Sequence, residues 1–90
     1  HAQVAFIGVN GVSDEAGMTT AHIGEAAVKR AMIANAAERI LLADHSKFGN
    51  SFTAKFASAA DFDRLITDGA TKEDFLSTFR TIECDVVQAD

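Results

Sequence analysis

The residues best suited to chemistry stand in two polar loops, and each loop follows a short apolar run. The later loop holds Asp44, whose carboxylate can accept hydrogen bonds from hydroxyls, and Lys47, whose ammonium can meet a phosphate. The earlier loop, residues 10–20, holds glycines, hydroxyls and backbone N–H groups ahead of a predicted helix, which suit an anion or a hydroxyl. Together the two loops could hold a small polyol phosphate. The candidate ligand residues in them are Asn10, Gly11, Ser13, Gly17, Thr19, Thr20, Asp44, Ser46 and Lys47.

A strand, a helix and a second strand must position these loops. Residues 4–7 form a continuous apolar run, which predicts a central strand of a sheet covered on both faces. Residues 40–43 repeat that pattern. Between them, residues 23–37 carry apolar side chains at helical spacing and predict a helix, so the three elements form a βαβ unit. The stripe of this helix that we expect to face the core comprises Val28, Met32 and Ala36, with Ala27 and Ala31 beside it.

The remaining segments predict a loop, three short strands and a second helix. Residues 13–20 are small and polar and predict a loop, whereas residues 52–56 and 65–67 predict short strands. A helix follows, for which we expect Thr71 to be the N-cap and Glu73 and Asp74 to lie in the favourable first turn. The expected buried stripe of that helix is Phe75, Leu76 and Phe79, with Arg80 in its last turn, and the last strand is expected at Val86 and Val87.

The predicted fold class is α/β, a partial Rossmann-like open sheet that is mostly parallel. In such a sheet, ligands bind in the crevice beyond the carboxyl ends of the strands. Both polar loops follow strands at that end, which strengthens their candidacy as a binding site. Neither an internal repeat nor a linker interrupts the chain, so residues 1–90 are expected to form one unit.

Composition restricts the classes of function. Apolar residues make up 48% of the chain and charged residues 23%, values that predict a packed core rather than disorder. The formal net charge is -5 and the eight Lys and Arg residues are scattered, so this chain is not expected to bind nucleic acid itself. Cys84 is the single cysteine, which predicts a reducing, cytoplasmic location, an inert buried thiol and no structural zinc. We expect no metal, no cofactor and no membrane segment.

Several long motifs in register resemble the sensor domain of the DeoR family of bacterial repressors. The order and spacing match through residues 5–50, and residues 65–68 continue the pattern. After Asp68 the sequence departs from the family pattern, and no functional residue is carried over beyond that point. The matching strings are Phe6–Ser13 (FIGVNGVS), Gly17–Thr20 (GMTT), Glu25–Ile33 (EAAVKRAMI) and Leu41–Gly49 (LLADHSKFG).

The resemblance implies a sensor whose fold is shared with ribose phosphate isomerase and glucosamine phosphate deaminase. It implies a phosphorylated sugar effector that modulates operator binding by an N-terminal helix-turn-helix. We also expect a homo-oligomer, and no enzyme, because the one plausible catalytic carboxylate has no convincing acid–base partner. It also adds Lys29, which would otherwise be surface charge, to the candidate ligand residues. Because the chain starts at His1 and soon enters an apolar run, we expect that the helix-turn-helix and the first part of the sensor lie outside these 90 residues.

Structural roles compete with the functional ones at each candidate position. Lys47 is either the phosphate ligand or a solvated lysine, and Asp44 either orients ligand hydroxyls or caps its own turn. The hydroxyls of the earlier loop either bind ligand or cap a helix, and Asn10-Gly11 either lines the pocket or forms a turn. His45 as a general base would indicate a sugar-phosphate isomerase or deaminase instead of a sensor. A third possibility is a non-catalytic oligomerisation module.

Overall fold

The computed structural model describes residues 2–89, which form two sheets, two helices and two short 3-10 turns. The helices are α1 (Ile23–Ala34) and α2 (Glu73–Thr81), and the turns are His45–Lys47 and Ala59–Asp61. The strands are β1 (Ala2–Gly8), β2 (Gly11–Ser13), β3 (Gly17–Thr20), β4 (Ala36–Leu42), β5 (Ala54–Ala57), β6 (Arg64–Asp68) and β7 (Asp85–Ala89). The strands predicted at 65–67 and 86–87 are present within β6 and β7, which are longer. The strand predicted at 40–43 is also present, as the end of β4, although β4 ends one residue earlier, at Leu42.

Four parallel strands in the order β1-β4-β6-β7 form the main sheet. Gly8 of β1 is aligned with Leu42 of β4, which is aligned in turn with Ile66 of β6. The carboxyl ends of these three strands therefore meet at one edge of the sheet. The mixed α/β class with a mostly parallel sheet and the βαβ unit β1-α1-β4 are confirmed.

A three-stranded antiparallel sheet, β2-β3-β5, replaces the loop predicted at 13–20, and that prediction is wrong. Val12 is aligned with Met18, and both side chains are buried. Gly17 has a φ of +73°, which a residue with a side chain rarely adopts, and it follows the turn that joins β2 to β3. The small polar residues that suggested a loop are the tight turn and the β-branched threonines of a hairpin.

Within residues 2–89, β1 pairs only with β4 and lies at the edge of the main sheet. The prediction of a central strand is wrong for this part of the chain. Phe6 is 56% exposed, whereas Ile7, on the opposite face of the same strand, is buried. A strand alternates its side chains between two faces, so an apolar run occurs even where one face of the strand is exposed. The exposed apolar side chains on this face, called the uncovered face below, are Val4, Phe6, Leu42 and Val87, while Ile40, which is aligned with Phe6, is buried.

Helix α1 is confirmed, although it ends at Ala34 and not at residue 37, and the buried stripe predicted for it is wrong. Its buried residues are Ala26 and Ile33, while Val28 is 60% exposed and Met32 is also exposed. Helical spacing correctly identified Val28 and Met32 as an apolar stripe, but the residues that pack against the core are Ala26 and Ile33. The exposed stripe lies beside the free edge of β1, where Val4, Val28 and Met32 line a shallow groove.

Helix α2 is also confirmed, with two corrections. Lys72 holds the N-cap position and makes no side-chain cap, while the Thr71 hydroxyl lies 2.7 Å from the Thr67 hydroxyl within the core. Leu76 and Phe79 are buried as expected, and Glu73 and Asp74 do lie in the first turn. Phe75 is exposed, with its ring centroid 5.8 Å from that of Phe48. The strand predicted at 52–56 is present as β5, which begins at Ala54 and ends at Ala57, so Phe52 lies in the preceding loop.

Candidate functional site

A shallow cleft of 440 Å³ lies at the carboxyl ends of β1, β4 and β6. Its floor is formed by the strand ends, including Gly8, and its polar side chains come from the segment that follows β4 and from the last two residues of β6. These polar side chains are Asp44, Lys47, Thr67 and Asp68. Open parallel sheets bind ligands at this end, since side chains from neighbouring strand ends converge there.

The turn after β4 fixes Asp44 at the rim of the cleft. Its Oδ1 accepts a hydrogen bond from the backbone N–H of Ser46 at 2.8 Å and another from the Ser46 hydroxyl. Both bonds favour the charged form, so the pKa of Asp44 lies below its usual value. Asp44 caps its turn and also lines the cleft, so the two roles considered for it are compatible.

Lys47 closes the same turn and lines the cleft with Asp44. Its backbone N–H donates to the Asp44 carbonyl at 3.1 Å, which holds both residues in one 3-10 turn. The side chain is half-buried, and no acceptor in residues 2–89 lies within hydrogen-bonding distance of its Nζ. The ammonium is therefore available to an anion that enters the cleft.

Asp68, at the end of β6, is a cleft residue that the sequence reasoning did not select. Its Oδ2 accepts from the backbone N–H of His45 at 3.0 Å and lies 2.8 Å from His45 Nδ1, while its Oδ1 accepts from Ala70 N–H at 2.9 Å. These hydrogen bonds, with that of the His45 backbone largest, lower the pKa of Asp68 to about 2. Like Asp44, it directly follows the buried part of a parallel strand, which was the available signal.

The hydroxyls of the earlier loop are used within the hairpin. Thr20 is fully buried, with its Oγ1 2.7 Å from Asn10 Oδ1 and 2.9 Å from Glu25 Oε2. Thr19, also buried, donates to the Gly11 carbonyl at 3.4 Å and accepts from a backbone N–H at 3.0 Å. These contacts join β2, β3 and α1, and neither hydroxyl lines the cleft.

Ser13, Gly11 and Gly17 also shape the hairpin. Ser13 Oγ accepts from Ala16 N–H at 3.0 Å and closes the turn between the two strands. A Cβ on Gly11 would lie 2.5 Å from the Asn50 carbonyl oxygen, so only glycine fits there. Ser13 and Gly17 line a different cavity, of 240 Å³, between the hairpin and α2. The structure thus brings Asp44, Ser46 and Lys47 together but keeps the hairpin candidates apart from them, and a ligand role for the latter stays a prediction.

Lys29 reaches the cleft from α1 without lining it. Its Nζ donates to the carbonyl of Gly8 at 2.6 Å and lies 5.3 Å from the centroid of the Phe56 ring. Gly8 is the last residue of β1 and forms part of the cleft floor. Lys29 therefore supports the end of β1, which is a structural link to the site.

Asp44, His45 and Asp68 place nitrogen and oxygen atoms within 4.8 Å of one another. Asp68 already accepts hydrogen bonds on both oxygens, and Asp44 accepts two on Oδ1. The imidazole Nδ1 is likewise held by Asp68. These internal hydrogen bonds account for the cluster, and we assign no metal to it.

Comparison with known proteins gives the family. The sequence profile of the DeoR C-terminal sensor domain matches residues 1–69. The chain belongs to this family of sensor domains. The resemblance inferred from the motifs is confirmed, and the match ends next to Asp68, where the sequence was expected to depart from the family pattern.

The curated relatives of this sensor domain are transcriptional regulators. The HTH-type transcriptional repressor GlcR of Bacillus subtilis (strain 168) is 44% identical over 75 residues, which are 83% of this chain and 29% of the relative. GlpR, an HTH-type transcriptional regulator of Haloferax volcanii, is 41% identical over 69 residues, 77% of this chain and 27% of the relative. GolR, an HTH-type transcriptional regulator of Listeria innocua, is 31% identical over 80 residues, which are 89% of this chain and 32% of the relative.

The chain spans about three tenths of the length of these regulators. None of the helices within residues 2–89 has the length and apolar character needed to cross a membrane.

Proposed function

We propose that this chain is the effector-binding part of a bacterial transcriptional repressor of sugar metabolism, and that the effector is a phosphorylated sugar. The observation that carries the proposal is the convergence of Asp44, Lys47 and Asp68 on one cleft at the ends of adjacent parallel strands. Membership of a sensor-domain family and the names of the relatives, a repressor and two regulators, support the regulatory part.

The cleft has the chemistry to hold both ends of such a ligand. Lys47 Nζ meets the phosphate as a point charge, and this charge-assisted contact is stronger than one between neutral groups. Sugar hydroxyls donate to Asp44 Oδ2, which makes no hydrogen bond within residues 2–89. Because the Ser46 hydrogen bonds lower the pKa of Asp44, this carboxylate is ionised at neutral pH and acts purely as an acceptor.

The proposal extends to the intact regulator. A helix-turn-helix and the first part of the sensor, both outside these 90 residues, bind the operator and complete a fold of the ribose phosphate isomerase and glucosamine phosphate deaminase type. The apolar side chains on the uncovered face of the main sheet support this, since parallel sheets are normally covered on both faces. In this proposal the regulator is a cytoplasmic homo-oligomer that binds DNA only through its helix-turn-helix and catalyses no reaction.

One observation favours an enzyme instead. The contact between His45 and Asp68 is a carboxylate-imidazole pair, an arrangement found in general acid–base catalysis. Turnover of a sugar phosphate by the intact protein, abolished by His45→Gln, would establish an isomerase or deaminase and remove the sensor proposal. The names of the relatives favour regulation.

Thermal unfolding of the intact regulator with a panel of sugar phosphates and their unphosphorylated parents tests the proposal. A ligand at about one hundred times its Kd adds about 2.7 kcal/mol to the free energy of unfolding, so the midpoint rises. One phosphorylated sugar should raise the midpoint of wild type and of Lys55→Ala, whose lysine is exposed on β5 away from the cleft, but not of Lys47→Ala. No shift with any sugar phosphate, or an equal shift in all three proteins, would contradict it.

A further inference from the structure

His45 joins the two segments that form the polar side of the cleft. Its backbone N–H, in the turn after β4, and its imidazole Nδ1 both contact Asp68 Oδ2, at the end of β6. Asp68 is itself fixed, because Ala70 N–H donates to its Oδ1 and the Gln88 side chain of β7 donates to its carbonyl at 3.3 Å. The imidazole is thus held on a rigid carboxylate and not placed by chance at the surface.

The charged groups around His45 make its protonation matter to an anion. Asp68 faces it from the end of β6, and Asp44 and Lys47 belong to its own turn. The ammonium of Lys29 does not line the cleft and donates to the Gly8 carbonyl. With a neutral imidazole, the charged side chains that line the cleft, Asp44, Asp68 and Lys47, carry a net negative charge, which opposes a phosphate. An imidazolium cancels that charge and leaves Lys47 free to attract the anion.

We propose that His45 is a positioning residue which, through its contact with Asp68, makes the affinity of the cleft for a phosphorylated ligand higher when its imidazole is protonated. This inference rests on the proposed function, since it assigns a regulation to the same cleft. The hydrogen bond to Nδ1 forms with the imidazolium and with the neutral tautomer that is protonated on Nδ1, so the loops keep their positions and only the charge changes.

The direction of the pH dependence follows from the two pKa values. The hydrogen bond and charge of Asp68 raise the pKa of His45 above 6.5, while the pKa of Asp68 is lowered to about 2. Asp68 therefore remains ionised throughout the neutral range. The imidazole of His45, which contacts Asp68 beside the cleft, loses its positive charge as the pH rises through its raised pKa. Affinity is expected to be highest on the acid side of the pKa of His45 and to fall as the pH rises through it.

Calorimetry of sulfate binding to the intact regulator, at about pH 6 and about pH 8, tests the inference. Sulfate stays doubly charged over this range, whereas a phosphate has a second pKa of about 6. Between these values, wild type should lose about fivefold in affinity, at the lower end of ordinary coupling between two sites. His45→Gln should lose less than twofold, whereas the control His22→Gln, at the start of α1, should behave as wild type.

A second measurement uses the reciprocity of the coupling. Sulfate should lower the acid dissociation constant of His45, followed by NMR of the imidazole, by the same factor by which protonation raises sulfate affinity. The pKa of His45 therefore rises when sulfate binds. Asp68→Asn should move the midpoint of the affinity profile to lower pH. Equal pH slopes in wild type and His45→Gln would overturn the inference and leave the proposed function intact. Sulfate affinity that Lys47→Ala does not change at either pH would overturn both.

Discussion

Replacement of Thr20 by valine separates a structural hydroxyl from a ligand-binding one. Thr20 is fully buried, and its Oγ1 lies within hydrogen-bonding distance of Asn10 Oδ1 and Glu25 Oε2. Valine keeps the shape of the side chain but removes the hydroxyl. The hydrogen bond that this hydroxyl donates, to Asn10 Oδ1 before β2 or to Glu25 Oε2 of α1, is then lost. The fold predicts that this change destabilises the sensor without touching the cleft.

The magnitude follows from burial and from the partners. A net hydrogen bond contributes about 0.5–1.5 kcal/mol, and one to a charged group such as Glu25 about 1.5–3 kcal/mol. Glu25 is exposed and can be solvated after the change, and Asn10 Oδ1 still accepts from Ala21 N–H at 3.3 Å. We therefore expect Thr20→Val to lower the free energy of unfolding by about 1–2 kcal/mol, from the lower part of that range.

Urea unfolding of the intact regulator, combined with effector titration, provides the assay. Thr53→Val is the matched control because Thr53 is exposed in the loop before β5, and its effect should stay within about 0.5 kcal/mol. Both variants should bind the effector as wild type does. A Thr20→Val protein with unchanged stability but effector affinity reduced tenfold or more would refute this reasoning and make the hairpin hydroxyl a ligand.

Two further predictions concern pH and the uncovered face. The pKa of Asp68 is about 2 in the folded protein and 3.8 usually, so Asp68 stabilises the fold above pH 3.8 and loses that contribution as the pH falls toward about 2. The pKa of His45 is raised, so His45 stabilises the fold below pH 6.5 and loses that contribution as the pH rises through its folded pKa. Urea unfolding of Asp68→Ala across this pH range should therefore show the largest loss of stability, relative to wild type, between pH 3.8 and pH 6.5. A loss of stability that does not depend on pH would contradict the stabilising contact between Asp68 and His45. In the intact regulator, Phe6→Ala should lower the free energy of unfolding by about 3–5 kcal/mol if the rest of the sensor covers the main sheet. The control Ile23→Ala, at a strongly exposed position at the start of α1, should change it by less than about 1 kcal/mol, and equal small effects would show that the face stays open.

The parallel sheet and half of the cleft could be predicted because the information is local. Buried parallel strands read as apolar runs, and the polar residues directly after 40–43 gave Asp44 and Lys47. The same reasoning applied to residues 65–67 would have given Asp68.

The hairpin and the packing of α1 could not be predicted because they depend on distant contacts. Thr19 is buried where Phe52 N–H, 33 residues later, donates to its hydroxyl at 3.0 Å, and β5 pairs with β3. Helical spacing likewise found Val28 and Met32 as a stripe, but Ala26 and Ile33 pack against the core. The polar residues at 13–20 therefore led to the wrong prediction of a loop. They also led to one predicted site, whereas the structure separates the hairpin residues from Asp44 and Lys47.

Operator binding by the intact regulator, measured with and without the sugar phosphate that stabilises it, tests the central claim most directly. The effector should change the operator affinity of wild type by at least about fivefold, a usual size for coupling between two sites. Lys47→Ala should bind the operator as wild type does without effector and should not respond to it. A wild-type operator affinity that no stabilising sugar phosphate alters, or a full response in Lys47→Ala, would contradict the account.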